Sequence, residues 1–175
     1  MRSNSTYKDL HWQYVGPTNI SGRCTDVEAI SPRGDQYTIW VGSATGGLWK
    51  STNEGTTFES MFDEMPTASI GDIAIDPNNS DVVWVGTGEG NPRNSLTGGY
   101  GVYRSLDAGA TWQLMGLEKT RNVHRIIIHP DDPNTVFIGA IGSPWGDHEE
   151  RGVYKTTDGG ETWNKILYVD QMTGV

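Results

Sequence analysis

Two runs of this sequence hold the residues best equipped for chemistry at a surface. Gly88 to Tyr100 reads G-E-G-N-P-R-N-S-L-T-G-G-Y and offers a carboxylate (Glu89), a guanidinium (Arg93) and two amides (Asn91 and Asn94). Such groups hydrogen-bond the hydroxyls of a sugar or the backbone of a peptide. Equally, Glu89 and Arg93 can tie down their own Gly-rich loop through an internal ion pair. Ile141 to Arg151 reads I-G-S-P-W-G-D-H-E-E-R. Trp145 supplies a platform for stacking a sugar ring, and Asp147, His148, Glu149 and Glu150 follow it. Carboxylates beside a histidine suggest a cation. Consecutive loop residues seldom converge on one ion, however, so the run reads as a solvated tip, and neither a metal nor another cofactor is expected.

Hydrolysis of a glycosidic bond generally needs two carboxylates flanking it. Glu89 is the one placed candidate, so the preferred reading is noncatalytic: a surface that contacts peptide, protein or glycan through Glu89, Asn91, Arg93, Asn94, Trp145, Asp147 and His148. The alternative is a glycoside hydrolase with Glu89 in the catalytic role. His11, His124 and His129 are scattered without spaced partners, although His124 and Arg125 open a strand that can face a central channel. Measured back from a shared proline, Arg23 is not the counterpart of Arg125, so an arginine cluster does not repeat. Cys24 is the single cysteine, which excludes an intramolecular disulfide and a cysteine zinc site. Its strand-like surroundings predict a buried, inert thiol.

Loops of this kind need a rigid scaffold, and a repeated octet provides it. Ser51 to Phe58 reads S-T-N-E-G-T-T-F, Ser105 to Trp112 reads S-L-D-A-G-A-T-W, and Thr156 to Trp163 reads T-T-D-G-G-E-T-W. The copies recur at about fifty residues, a period that signals stacked supersecondary units. Asn53, Asp107 and Asp158 can accept hydrogen bonds from their own turn. Gly55, Gly109 and Gly160 supply positive φ, and threonine before Phe58, Trp112 or Trp163 restarts a strand. Ser51, Ser105 and Thr156 open each turn. All twelve of these residues are read as structural.

Around each octet the same four strands can be traced. First strands end in I-S-P, I-D-P and I-H-P (Pro32, Pro77, Pro130); second strands carry W-V-G, W-V-G and F-I-G (Gly42, Gly86, Gly139); third strands begin at Gly47, Gly101 and Gly152. The fold expected is all-β: three four-stranded antiparallel propeller blades at 24–61, 69–116 and 122–169. Trp12 to Gly16, W-Q-Y-V-G, matches W-Q-L-M-G after the second octet, predicting one outer strand at 12–16 behind a disordered segment at 1–11. Closed propellers have about four to eight blades, so three blades and a strand read as part of a larger propeller. Its open blade edges could self-associate. Alternate connections of a meander share an edge, which gathers Ser43 to Gly46, Gly88 to Tyr100 and Ile141 to Arg151 on one face and the octets on the other.

The octet resembles the Asp-box, or bacterial neuraminidase repeat, of propellers such as sialidases, xyloglucanases and the sortilin luminal domain. The sialidase F/Y-R-I-P motif does not occur. Xyloglucanases place a catalytic Asp in a motif like A-R-T-D-V-G-G-x-Y-R. The matching stretch here, V-G-S-A-T-G-G-L-W-K, puts Ala44 at the Asp position. G-P-x-x-x-x-G-R (Gly16 to Arg23), S-I-G-D-I-A-I-D-P (Ser69 to Pro77), V-W-V-G-T-G-E-G-N-P-R-N-S (Val83 to Ser95) and R-G-V-Y-K-T-T-D-G-G-E-T-W (Arg151 to Trp163) most resemble bacterial sortilin-like propeller proteins. That resemblance implies exported proteins, extracellular, periplasmic or at the cell surface, whose propellers bind peptides or glycans. No signal peptide is visible in this chain, and no apolar run reaches membrane-spanning length, so membrane insertion is not expected. A net charge of −9 argues against a nucleic-acid partner, which needs a basic surface.

Overall fold

The structure is a computed structural model that describes residues 23–30, 37–91 and 93–175. The expected segment at 1–11 and outer strand at 12–16 lie outside the described residues. Among the described residues twelve strands form three separate sheets: β1 (Cys24–Ile30), β2 (Thr38–Ser43), β3 (Gly47–Ser51) and β4 (Glu59–Ser60); β5 (Ile70–Asp76), β6 (Asn79–Thr87), β7 (Val102–Ser105) and β8 (Gln113–Leu114); β9 (Val123–His129), β10 (Asp132–Ala140), β11 (Gly152–Thr156) and β12 (Asn164–Leu167). Each is an antiparallel meander in sequence order. Helix among the described residues is confined to a 3-10 turn at Glu118–Thr120. The chain is therefore all-β and folds as propeller blades.

Registers superimpose the blades on the second-strand glycines: Gly42 faces Asp26, Gly86 faces Asp72 and Gly139 faces Arg125. Asp26, Asp72 and Arg125 are thus equivalent, one residue away from the alignment on the shared prolines. By the same rule Arg23, Ser69 and Asn122 correspond, because their carbonyls accept from Ala44, Gly88 and Ile141.

The apolar core lies between the blades. Trp40, Leu48 and Phe62 of the first pack on Ile70, Ile73, Val83, Val85 and Tyr103 of the second; Ala74, Trp84 and Val102 of the second pack on Ile126, Ile128, Val136, Ile138 and Tyr154 of the third. Inner strands also share polar links, since the Ile73 amide donates to Asp26 at 2.9 Å and the Ile126 amide to Asp72 at 2.6 Å. This arrangement overturns the expected burial of Cys24, which is exposed. Its counterparts Ile70 and Val123 are fully buried because a preceding blade stands against them, Ile70 at Gly42 and Val123 at Gly86. No described residue covers the equivalent side of β1.

The octets work by local hydrogen bonding. In the second, the Asp107 and Gly109 amides donate to Ser105 Oγ at 3.2 and 2.8 Å, Ser105 Oγ donates to Asp107, and Asp107 accepts from the amide and hydroxyl of Thr111. The third repeats the pattern with Thr156, Asp158 and Thr162. The first follows it with Ser51, Asn53 and Thr57, except that the Asn53 side-chain amide donates to the Thr57 hydroxyl. Hydrogen bonds to the ionised carboxylate lower the pKa of Asp107 to about 2, and hold that of Asp158 below the ordinary range.

The second and third octets also latch onto the blade before them. Trp112 Nε1 donates to the Met61 carbonyl at 2.8 Å and its ring meets Trp40 edge-on; Trp163 Nε1 donates to Met115 at 2.7 Å and meets Trp84 likewise. Returning the contact, Lys50 and Arg104 lie over Trp40 and Trp84 and donate to the carbonyls of Ala108 and Gly159. The octet glycine is needed here for two reasons. Gly109 has φ 90°, and a Cβ on it would sit 2.5 Å from the Trp40 ring.

Candidate functional site

The turns between second and third strands emerge at the edge where the first strands begin. The octets emerge at the other edge, where the Ala108 and Gly159 amides donate to the carbonyls of Asp81 and Asn134 near the beginnings of the second strands β6 and β10. The loop face is therefore built from 44–46, 88–101 and 141–151 together with Arg23, Ser69 and Asn122 at the strand starts.

Glu89 sits at its centre, but not as a surface group. It is 0% exposed, and its two carboxylate oxygens receive Arg23 Nε and Nη2, each at 2.7 Å. Its amide donates to Ser69 Oγ at 3.1 Å and its carbonyl accepts from Asn122 Nδ2 at 2.6 Å. Three equivalent positions on three blades thus grip one residue. The internal Glu89–Arg93 pair anticipated from sequence does not form. The bidentate geometry of Arg23, 66 residues away, satisfies the carboxylate, while Arg93 stays exposed. The loop is stitched further by Thr97, whose carbonyl accepts from Glu89, Ser69 Oγ and Asn122 Nδ2, and by Gly99, whose amide donates to Arg121 at 2.6 Å. Arg121 holds a positive φ of 63° at an exposed site over Gly98.

The 141–151 loop is staked by Arg151, which is 6% exposed and donates to the carbonyls of Ile141, Ser143 and Gly146. Tyr154 donates to Glu150 at 2.7 Å, and Lys165 lies 3.5 Å from the same carboxylate. On this support Trp145 is 61% exposed. Asp147 is exposed too, whereas His148 turns inward against Gly142, its amide held by the Gln171 carbonyl. Asn91 is half-buried and Asn94 exposed. The outward-facing set is accordingly Arg93, Asn94, Trp145 and Asp147, joined by Tyr100 and Arg121, which sequence reading missed. An alignment on the second-strand glycines would have pointed to Arg23, Ser69 and Asn122. Nothing local marks Tyr100 or Arg121.

Toward the inner strands, His124 is half-buried beneath Gly90, and Arg125, largely exposed, reaches Asp72 at 3.4 Å. Burial pushes the Asp72 carboxyl up to about 7; the Ile126 amide and Arg125 oppose the shift, while Asp26 and Glu28 add to it. Its pKa is thus above that of an unfolded aspartate, about 3.9. Stability from this proton is complete below about pH 4 and is lost as pH rises through about 7. Asp72→Asn, which can still accept from Ile126, is expected to flatten the fall in Tm between pH 5 and 8. An unaltered slope would assign the proton to another group.

Comparison with known proteins places this geometry in context. Residues 46–172 match the sequence model of the family described as Sortilin, neurotensin receptor 3 (Sortilin-Vps10). The xyloglucanase Xgh74A of Acetivibrio thermocellus is 26% identical over 185 aligned positions, covering 89% of this chain and 20% of the relative. A xyloglucanase of a Paenibacillus species is 24% identical, covering 89% of this chain and 16% of the relative. The chain spans about a fifth or less of the length of these curated relatives. Among solved structures, an ancestral GH74 enzyme superimposes with a TM-score of 0.64 at 26% identity, over 85% of this chain and 19% of that one. The GH74 enzyme of Niastella koreensis, at 22% identity and a TM-score of 0.54 over 74% of this chain and 19% of that one, shares the fold.

Proposed function

The chain belongs to the Sortilin-Vps10 family, and from that premise we propose that it is a noncatalytic binding portion of an exported propeller, one that holds a β-glucan of xyloglucan type across its loop face. The observation that carries the reading is the burial of Glu89 against Arg23. A carboxylate sealed at 0% exposure and paired at 2.7 Å can neither attack an anomeric carbon nor protonate a leaving group. At the position where the xyloglucanase motif has Asp, the chain has Ala44, itself 1% exposed. What the loop face retains is a recognition surface: an exposed indole on a staked loop, flanked by guanidinium, amide and carboxylate groups. Its relatives named xyloglucanases support a glucan as the ligand.

Titration calorimetry with xyloglucan oligosaccharides tests this directly. Trp145→Ala is expected to weaken binding roughly tenfold, the size of one lost stacking contact of about 1.4 kcal/mol, with far-UV circular dichroism unchanged. Undiminished binding would remove Trp145 from the site. A reducing-end assay run alongside should show no turnover. Turnover abolished by Glu89→Gln would establish the hydrolase reading instead. The family description as a neurotensin receptor favours peptide as a second ligand class, so peptide binding without oligosaccharide binding would replace glucan by peptide.

A further inference from the structure

Arg121 carries a backbone strain that no contact of its own side chain offsets. The Asn122 amide donates to the Thr120 carbonyl at 2.7 Å across it, and its φ of 63° and ψ of −50° make it the centre of a γ-turn of the rare, strained form. Thr120 and Asn122 on either side are each 1% exposed. The Thr120 hydroxyl donates to the Leu117 carbonyl at 2.7 Å and Asn122 Nδ2 to the Glu89 carbonyl at 2.6 Å, so both ends of the turn are fixed. What the fold uses of Arg121 is its carbonyl. That oxygen accepts from the Gly99 amide at 2.6 Å and lies so near Gly88 that a Cβ there would stand 2.2 Å from it. Any residue supplies a carbonyl, and glycine would supply it without the strain.

The side chain has no such use. It is exposed and runs along the loop at 88–101, where a Cβ on Gly98 would meet its Cγ at 3.3 Å. Arg23, Arg104, Arg125 and Arg151 each hold a carboxylate or a carbonyl, whereas among the described residues the Arg121 guanidinium has no ion-pair or hydrogen-bond partner. Its charge acts on His148, which places it between the two expanded loops, on the face that carries Tyr100 and Trp145. Strain locked in by buried neighbours, at an exposed side chain without a partner, points to a residue kept for a ligand. We propose that Arg121 is a specificity-determining contact of the loop face, its forked donors reading two hydroxyl oxygens on adjacent carbons of one glucan residue. This rests on the glucan-binding reading above. Parallel N–H groups fit paired oxygens, a match that a single ammonium does not reproduce.

Thermal denaturation and titration calorimetry with xyloglucan oligosaccharides, on Arg121→Gly and Arg121→Lys with Trp145→Ala alongside, separate this role from a structural one. Arg121→Gly relieves the turn, so it is expected to raise Tm by about 2–4 °C. It should also weaken oligosaccharide binding roughly tenfold or more, the size of a lost hydrogen bond from a charged donor. A side chain that only supported the loop would move Tm the other way. Arg121→Lys keeps the strain and the charge without the fork, so Tm should match the wild type while binding stays weak. A Tm that does not rise in Arg121→Gly overturns the proposal, as does binding as tight as wild type in either Arg121 variant. If Trp145→Ala still weakens binding in that case, the loop face binds glucan without Arg121. A wild type that binds no oligosaccharide overturns both readings.

Discussion

Arg23→Met is expected to destabilise the chain by about 3 kcal/mol at neutral pH, close to the lower bound for stranding one partner of a buried ion pair. The cost falls on Glu89, whose carboxylate is left at 0% exposure without its bidentate donor. Water reaching the site through the third of the Arg23 side chain that is exposed keeps the penalty from being larger. The same logic predicts a rescue. Arg23→Met combined with Glu89→Met removes both charges, and an apolar pair of similar volume is close to neutral in such a site, so most of the loss should return. Urea denaturation of both single variants and the double variant measures this as a coupling energy. A double variant no more stable than Arg23→Met alone would mean that Arg23 contributes by packing rather than by charge. The loop at 88–101 hangs on this residue, so Arg23→Met should also weaken ligand binding on the loop face although Arg23 itself need not touch the ligand.

Trp84→Ala should be costlier still, about 3–5 kcal/mol, the range for truncating a large buried aromatic. The indole is fully buried at the junction of the second and third blades. Trp163 meets it edge-on with ring centroids 6.2 Å apart, and Arg104 lies 5.5 Å from its centroid. Gly160 approaches so closely that a Cβ there would stand 2.7 Å from the ring. Neighbours packed from both sides cannot collapse into the space, which keeps the cavity open. Since domains are stable by only about 5–15 kcal/mol, much of the third blade's anchorage is at stake. Trp84→Phe, which copies the natural Phe137, should cost less than half as much. If Trp84→Ala costs under about 1 kcal/mol by denaturant titration, the blades are held by the polar links of the inner strands instead.

How far the sequence reveals the fold can be seen in the octet. Every hydrogen bond of Ser105, Asp107, Gly109 and Thr111 within the turn spans at most four residues, so residue types and spacing alone specify it. The strand meander was legible for the same reason, with glycine and proline punctuating alternating apolar runs. The first blade shows where such reading slips. Alignment on Ile30 and Pro32 is one residue out, because the pairing of Asp26 with Gly42 decides the register, and a proline beyond the strand does not.

Residue types and their local order by themselves determined that this chain makes four-stranded units, where each unit turns, and which loops share a face. Only the tertiary structure decided what those loops present. Glu89 has the composition of a surface carboxylate, yet it is buried by Arg23, Ser69 and Asn122, which lie 66, 20 and 33 residues away. Cys24 sits in a strand that reads as core, yet it is exposed, because the side it presents is covered only when another blade stands against it. Turn chemistry acts over a few residues and is written into the chain locally. Burial and ion pairing depend on how one blade is rotated against the next, a relation that comes into being only when distant segments pack.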